Sequence, residues 1–105
     1  MKQYILSPEA QQDLRDIREY LLQEAGLPVA RHVVRKIGEA LRFLAVMPGM
    51  GHFRADLTAE SVKSWQVFSY LIVYDYQTRP IGIARVLHSS RDVARVLARS
   101  GRALD

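Results

Sequence analysis

Four ionisable side chains lie close together near the end of this sequence: Arg85, His88, Arg91 and Asp92. Arginine binds carboxylates and phosphates through two parallel hydrogen bonds, and histidine is the side chain whose ordinary pKa suits proton transfer near neutral pH. Arg54, in an earlier loop, could add a further cation. The cluster could therefore bind an anionic partner or support chemistry at a phosphate.

Other kinds of site find little support in the sequence. The three histidines, at positions 32, 52 and 88, are far apart, and neither a cysteine nor a pair of carboxylates stands at a spacing typical of metal ligands. Neither a glycine loop that cradles phosphate nor the spacing of a Ser-His-Asp triad is visible. We expect no metal site and no small-molecule cofactor.

Length and charge suggest one domain with a basic C-terminal end. A chain of 105 residues can bury its own core. Residues 85–105 carry five arginines and two aspartates, whereas residues 1–84 are nearly neutral, with ten basic and nine acidic residues. Such a patch suits an anionic partner, although an arginine-rich solvated helix gives the same pattern. The absence of cysteine and of a long apolar run leads us to expect a cytoplasmic protein with no membrane contact.

The elements that must position these residues begin with a helical hairpin. After a short strand near Tyr4, the sequence Ser7-Pro8-Glu9 is typical of a helix start. Apolar residues at helical spacing then predict two amphipathic helices, separated near Gly26. Because the connection is so short, the helices should lie antiparallel.

Three apolar runs then predict strands, over residues 62–68, 70–76 and 81–88. The last run has apolar residues on both faces, which indicates an interior strand. Strict alternation would place Ile83, Arg85 and Leu87 on one face and Val86 and His88 on the other. A basic helix should follow over about residues 91–101. The order β-α-α-β-β-β-α predicts an α+β domain spanning residues 1–105, with a helical hairpin packed on an antiparallel-rich sheet.

Several of these segments, taken in order, resemble the RelE/ParE superfamily of type II toxins, and most of all its ParE branch. The resemblance is carried by the helix start Ser7–Ala10, the loop Pro48–Leu57, the strand segments Trp65–Val67 and Tyr70–Tyr74, and the segment Arg85–His88 followed by Arg91-Asp92. It covers about residues 4–97 and implies a small bacterial toxin that is neutralised by a cognate antitoxin in a hetero-oligomeric complex.

The resemblance implies two toxin activities on one fold. ParE-like members inhibit DNA gyrase, and RelE-like members cut mRNA on the ribosome without a metal. For a gyrase inhibitor, the residues expected to bind the target are Arg54, Arg85, His88, Arg91, Asp92, Arg95 and Arg99. For a nuclease, the catalytic set would be Arg54, Arg85, His88 and Arg91. RelE-like nucleases usually carry a proton-handling residue after the last strand, where this chain has Ala94, so we favour gyrase inhibition.

Structural roles compete with these functional ones. Arg85 could pair with Asp92 or Asp56, because a partly buried charge requires a partner. Asp92 could simply begin the last helix, and His88 could be a hydrogen-bonded histidine at a strand end. Trp65 and Tyr70 are more typical of packing than of base stacking.

Three apolar residues beside the main helix stripes, Tyr20, Leu22 and Phe43, are the candidates for antitoxin binding. Peripheral packing is the alternative role for them. Two further functions remain open: a non-toxic module that binds nucleic acid through the basic end, and a degenerate family member that retains only antitoxin binding.

Overall fold

The computed structural model describes residues 3–54 and 61–100, without the side chains of residues 98–100. The elements are β1 (Tyr4–Leu6), α1 (Pro8–Glu24), α2 (Leu27–Val46), a 3-10 turn (Pro48–Met50), β2 (Val62–Val67), β3 (Tyr70–Asp75), β4 (Ile81–His88) and α3 (Val93–Ser100). The predicted element order and the α+β class are confirmed. The predicted basic helix begins two residues later than expected, and its proposed end at residue 101 lies outside the described residues.

Local chemistry sets the boundaries of the helical hairpin. The Ser7 hydroxyl accepts a hydrogen bond from the Ala10 amide at 2.9 Å, which satisfies one of the free N–H groups of the first turn of α1. Helix α1 ends at Glu24, and Gly26 adopts a φ of 90°, a conformation that glycine tolerates best. The chain therefore reverses within two residues, and α2 packs beside α1.

The four strands form one sheet in the order β1-β4-β3-β2. The pairs β2–β3 and β3–β4 are antiparallel, as the short connections predict. In contrast, β1 pairs with β4 in parallel, over the three residue pairs from Tyr4–Ile81 to Leu6–Ile83. Beyond Ile83, no strand among the described residues lies beside the outer edge of β4.

The beginning of α1 occupies this open edge of β4. The Ser7 amide donates to the Ile83 carbonyl at 3.0 Å, and the Ser7 hydroxyl donates to the Ala84 carbonyl at 2.7 Å. Further along, the Val86 amide donates to the Asp13 carboxylate at 3.0 Å. Side chains and backbone of the helix start thus satisfy polar groups that another strand would otherwise pair.

The apolar residues of β4 divide between two cores in a way that strict alternation does not predict. Tyr74 pairs with Ile83 and Val73 pairs with Arg85, so Ala84 is an additional residue, a β-bulge. Ile83 and Val86 pack with the helical hairpin, whereas Ala84 and Leu87 pack with α3. The expectation that Ile83 and Leu87 share a face is wrong, because the bulge shifts the alternation by one position.

The sheet is covered on both faces, which confirms the interior position predicted for β4. The larger core lies between the sheet and the hairpin and includes Ile37, Leu41 and the fully buried Tyr74. The smaller core joins Val73 and Leu87 to Val93 and Leu97 of α3. No helix within the described residues is both long and apolar enough to cross a membrane.

Candidate functional site

Asp13 and Arg85 form a nearly buried ion pair that joins α1 to β4. The Asp13 carboxylate accepts hydrogen bonds from Arg85 Nε at 2.7 Å and from Arg85 Nη2 at 2.8 Å, in addition to the Val86 amide. Only 10% of the Asp13 side chain and 13% of the Arg85 side chain are exposed. The hydrogen bonds to Asp13 raise the pKa of Arg85 above its usual value, although burial opposes that shift. This arginine therefore has a structural partner.

Asp13 is a partner of Arg85 that the sequence did not suggest. Asp92 caps α3 instead, and Asp56 lies outside the described residues. One signal for Asp13 was present in the sequence: it falls three residues after Ala10 and four before Ile17, within the apolar stripe of α1. A carboxylate at such a position requires a buried partner.

His88 lies exposed at the end of β4 and is held by the residues that follow it. Its Nδ1 atom lies 2.7 Å from the Ser90 hydroxyl and accepts a hydrogen bond from the Ser90 amide at 3.1 Å. Its ring meets that of Tyr70 edge to face, with 5.5 Å between the ring centroids. A backbone amide can only donate, so the neutral ring carries its proton on Nε2. The prediction of a hydrogen-bonded histidine at the strand end is confirmed.

A cleft of about 440 Å³, here called the His88 cleft, opens between α1 and the end of β4. Its apolar wall includes Ile17, Tyr70 and Val86, and its polar lining includes Asp16, Tyr20, His88, Ser90 and Arg91. Asp16 already accepts a hydrogen bond from Gln12, whereas the Arg91 side chain makes no hydrogen bond or ion pair within the described residues. The cleft therefore offers a cation and an imidazole N–H beside an apolar wall.

The sequence and fold of the chain match known proteins. Residues 4–93 match the model of a family described as the ParE toxin of the type II toxin-antitoxin system parDE. The chain belongs to the ParE toxin family. Toxin ParE1 of Caulobacter vibrioides is 34% identical over 90 residues, which cover 86% of this chain and 92% of that protein.

A solved structure, the chromosomal ParDE toxin-antitoxin system from P. aeruginosa, superposes with a TM-score of 0.68. The match covers 81% of this ParE-family chain and 92% of the other, at 18% sequence identity. At that identity the likeness supports the fold.

Four of the predicted target-binding residues of this toxin, Arg54, Arg85, Asp92 and Arg95, do not line the His88 cleft. Asp92 begins α3: its carboxylate accepts from the Arg95 amide at 3.1 Å and lies 3.7 Å from Arg95 Nε. Arg95 is therefore exposed and locally paired, and Arg54 is half-buried outside the cleft lining. The side chain of Arg99 lies outside the described part of the chain. Of the candidate catalytic set, only His88 and Arg91 line the cleft.

The predicted antitoxin-binding residues of the toxin lie in separate places. Tyr20 lines the His88 cleft, and Leu22 is half-buried on the same helix. Phe43 of α2 belongs to a row of three rings: its centroid lies 5.4 Å from that of Trp65 of β2, which in turn stacks at 5.8 Å on His52, in the segment before β2. None of these three rings lines the His88 cleft, so Phe43 and Tyr20 lie at different sites. Trp65 and Tyr70 pack in and against the hairpin core, as the sequence predicted.

The described residues contain no group of three histidine, cysteine or carboxylate side chains that could hold a metal ion. What the His88 cleft can do is bind: Arg91 can form two hydrogen bonds with a carboxylate or phosphate, and His88 Nε2 can donate one more. The burial of the hydroxyl raises the pKa of Tyr70, and the neighbouring Tyr20 adds to that shift. The Tyr70 phenol is therefore a neutral donor near pH 7.

Proposed function

We propose that this chain is the toxin of a type II toxin-antitoxin system, that it inhibits DNA gyrase in the cytoplasm, and that a cognate antitoxin neutralises it by binding. The single observation that supports binding as the mode of action is which arginines already have a partner. Arg85 is held by Asp13, so Arg91 is the cation of the predicted set that lines the cleft without a partner among the described residues. The Arg91 guanidinium and the His88 imidazole are sufficient to bind a carboxylate or phosphate group.

Metal-independent RNA cleavage needs more than binding. It requires a group that takes the 2′-hydroxyl proton, a group that protonates the leaving oxygen, and cations for the growing phosphate charge. The Nδ1 atom of His88 already accepts from Ser90, and Arg85 is occupied by Asp13. Gyrase inhibition therefore remains our preferred function, and ribosome-dependent mRNA cleavage is the alternative to test beside it.

The decisive experiment measures both activities in parallel with the purified protein. Gyrase is incubated with ATP and plasmid DNA, and translating ribosomes with labelled mRNA. We expect trapped gyrase–DNA cleavage complexes, with Arg91→Ala raising the half-effective concentration about tenfold, because a charge-assisted contact is lost. Arg42→Ala is the matched control, since Arg42 is an exposed arginine of α2 without a hydrogen bond or ion pair in the described residues.

The outcomes separate the hypotheses. Ordinary gyrase activity with the protein in excess would refute the proposal. Cuts in mRNA that disappear in His88→Ala would establish the nuclease alternative. Silence in both assays would favour a degenerate toxin or a module that only binds nucleic acid or antitoxin.

For neutralisation, we propose that the antitoxin covers the aromatic row around Phe43 and reaches Tyr20 at the His88 cleft. Phe43 is 40% exposed and has a partly buried aromatic neighbour, a combination that suits an apolar anchor from a partner. Phe43→Asp should weaken the affinity of the co-purified cognate antitoxin at least about tenfold, because it places a charge at the contact.

Val29→Asp is the matched control for that change, since Val29 lies at the other end of α2 with 43% exposure. An equal affinity for Phe43→Asp and the unmodified toxin, with the fold intact, would remove the aromatic row from the interface. Tyr20→Asp tests the second contact in the same assay.

A further inference from the structure

The turn between β2 and β3 contains a residue that its backbone conformation does not favour. Val67 pairs with Tyr70, so the turn consists of two residues, Phe68 and Ser69. Phe68 adopts a φ of 54°, and among the described residues it is the only one other than glycine with a positive φ. A two-residue turn in which the first residue alone has a positive φ is of type II′, and glycine is preferred at that position. Phenylalanine is strained there, because its Cβ crowds the backbone.

The fold gains little from the phenylalanine ring at this turn. Phe68 remains 55% exposed, and within the described residues its ring–ring contact is with the exposed His32 of α2, at 5.7 Å between centroids. Other groups hold the turn: the Gln66 side chain donates to the Phe68 carbonyl at 2.9 Å, and the Ser89 amide donates to the Ser69 carbonyl at 2.7 Å. A glycine would keep both bonds. A strained residue with an exposed side chain points to a role outside the fold.

The turn lies beside the His88 cleft. The bond between Ser69 and Ser89 joins it to the residue that follows β4, and the next residue of β3, Tyr70, pairs with His88. Tyr70 and His88 both line the cleft, whereas Phe68 does not. The exposed ring therefore extends the surface around the cleft to the end of the β2–β3 hairpin.

The surroundings of the ring favour a protein partner over a nucleic acid. Gln66 and Ser89, which hold the turn, are exposed, polar and uncharged. An aromatic side chain with few charges around it is typical of the centre of a protein–protein interface, whereas rings that stack on single-stranded nucleic acid stand among cations. Within the described residues no cation lies over the Phe68 ring, in contrast to the exposed Phe53, whose ring centroid lies 4.6 Å from Lys63 Nζ.

We propose that Phe68 is an aromatic anchor of the target-binding surface: its ring enters an apolar pocket on the protein target, while the His88 cleft binds an anionic group of the same target. The inference rests on the proposed function, because it names a further contact with gyrase. Burial of the exposed ring in the complex offsets the strain of the turn. Because the short turn already fixes the backbone that carries the ring, little freedom is lost on binding.

The test measures the affinity of the full-length protein for gyrase without DNA by surface plasmon resonance, and the trapping of cleavage complexes in parallel. Phe68→Gly should weaken gyrase binding about thirtyfold, the effect of losing an aromatic anchor. Its Tm should stay the same or rise, because glycine suits the turn. Phe68→Tyr keeps the ring and should bind like the unmodified protein. The matched control is Phe53→Gly, which removes a 63% exposed ring beside Tyr76, at the opposite end of the β2–β3 hairpin, and should leave the affinity unchanged.

The outcomes distinguish this inference from the proposed function. If the unmodified protein neither binds gyrase nor traps cleavage complexes, the proposed function fails and the anchor fails with it. If the unmodified protein does both and Phe68→Gly does both equally well, the anchor alone is overturned. A lower Tm in Phe68→Gly, or an equal loss of affinity in Phe53→Gly, also overturns it, since either result indicates a disturbed fold. So does a single-stranded oligonucleotide that binds the unmodified protein but not Phe68→Gly, because the ring would then stack on bases.

Discussion

Replacement of Asp13 by asparagine tests whether the ion pair with Arg85 fixes α1 to the sheet. The change preserves the shape of the side chain but removes its charge and turns one acceptor into a donor. Arg85 would then remain nearly buried without the Asp13 carboxylate. One contact of its guanidinium would place an N–H of Arg85 against the N–H of the new amide, and two donors repel each other. Breaking a buried pair by removing one partner costs about 3–5 kcal/mol.

We place the expected loss at the lower end, about 3 kcal/mol, because an amide oxygen at the Oδ2 position can still accept two of the three hydrogen bonds, from Arg85 Nε and from the Val86 amide. For a domain of this size that loss corresponds to a fall in Tm of about 15 °C. Urea unfolding at neutral pH, followed by far-UV circular dichroism, measures it. The m value should stay constant, since the surface exposed on unfolding does not change.

Asp16→Asn is the matched control for this prediction. Asp16 lies one turn further along α1, is exposed and accepts a hydrogen bond from Gln12. Its replacement should change the free energy of unfolding by less than about 0.5 kcal/mol. If Asp13→Asn loses no more than this control, the ion pair does not hold the helix. Replacing both Asp13 and Arg85 by leucine should recover only part of the loss, because no unpaired charge from this pair remains buried but the Val86 amide loses its acceptor.

Three further predictions concern other parts of the structure. Burial raises the pKa of the Tyr74 hydroxyl above 10.0, so the contribution of this group to stability is complete below pH 10.0 and decreases as the pH rises toward the folded-state pKa. Urea midpoints measured across that range should fall less steeply with pH in Tyr74→Phe than in the unmodified protein. Equal slopes in the two proteins would contradict the prediction. Gly51→Ala should destabilise the protein by about 1–3 kcal/mol in thermal unfolding, because a methyl group there would overlap the Tyr74 hydroxyl and approach the Ser64 carbonyl to 2.9 Å. An unchanged Tm would mean that Tyr74 and Ser64 move aside at no cost. Asp92→Ala should lower the stability by about 1 kcal/mol through loss of the helix cap, whereas Asp92→Asn should cost little, since asparagine caps equally well. Hydrogen exchange of the Arg95 amide measures the difference. Equal exchange in the two variants would show that the cap is unimportant.

The elements that depend on neighbouring residues could be predicted from the sequence. Ser7 and Pro8 fix the start of α1 through a hydrogen bond and a backbone angle that are local to the first turn. Asp92 likewise begins α3 within three residues. The turn after Asp75 follows from its own polar and proline residues, and it brings β3 and β4 together.

The features that the sequence did not reveal depend on distant parts of the chain. The bulge at Ala84 has no signature in the sequence, since alanine suits a strand as well as a bulge. Because of the bulge, Ile83 and Leu87 lie on opposite faces of the sheet and not on one face as expected. The partner of Arg85 lies 72 residues earlier in the chain. Reasoning from the residues near Arg85 suggested Asp92, whereas the approach of α1 to the edge of β4 supplies Asp13.

The closed edge of β4 also bears on the solubility of this protein. An apolar strand with unpaired amides invites a second molecule to add a strand of its own, and the edge of β4 beyond β1 would be such a template. Ser7 and Asp13 occupy polar groups from Ile83 to Val86, so an incoming chain would first have to displace α1. At the opposite edge of the sheet, Ser64 of β2 is likewise paired, through two backbone hydrogen bonds with His52. Loosening of α1 would consequently produce aggregation before it produced complete unfolding.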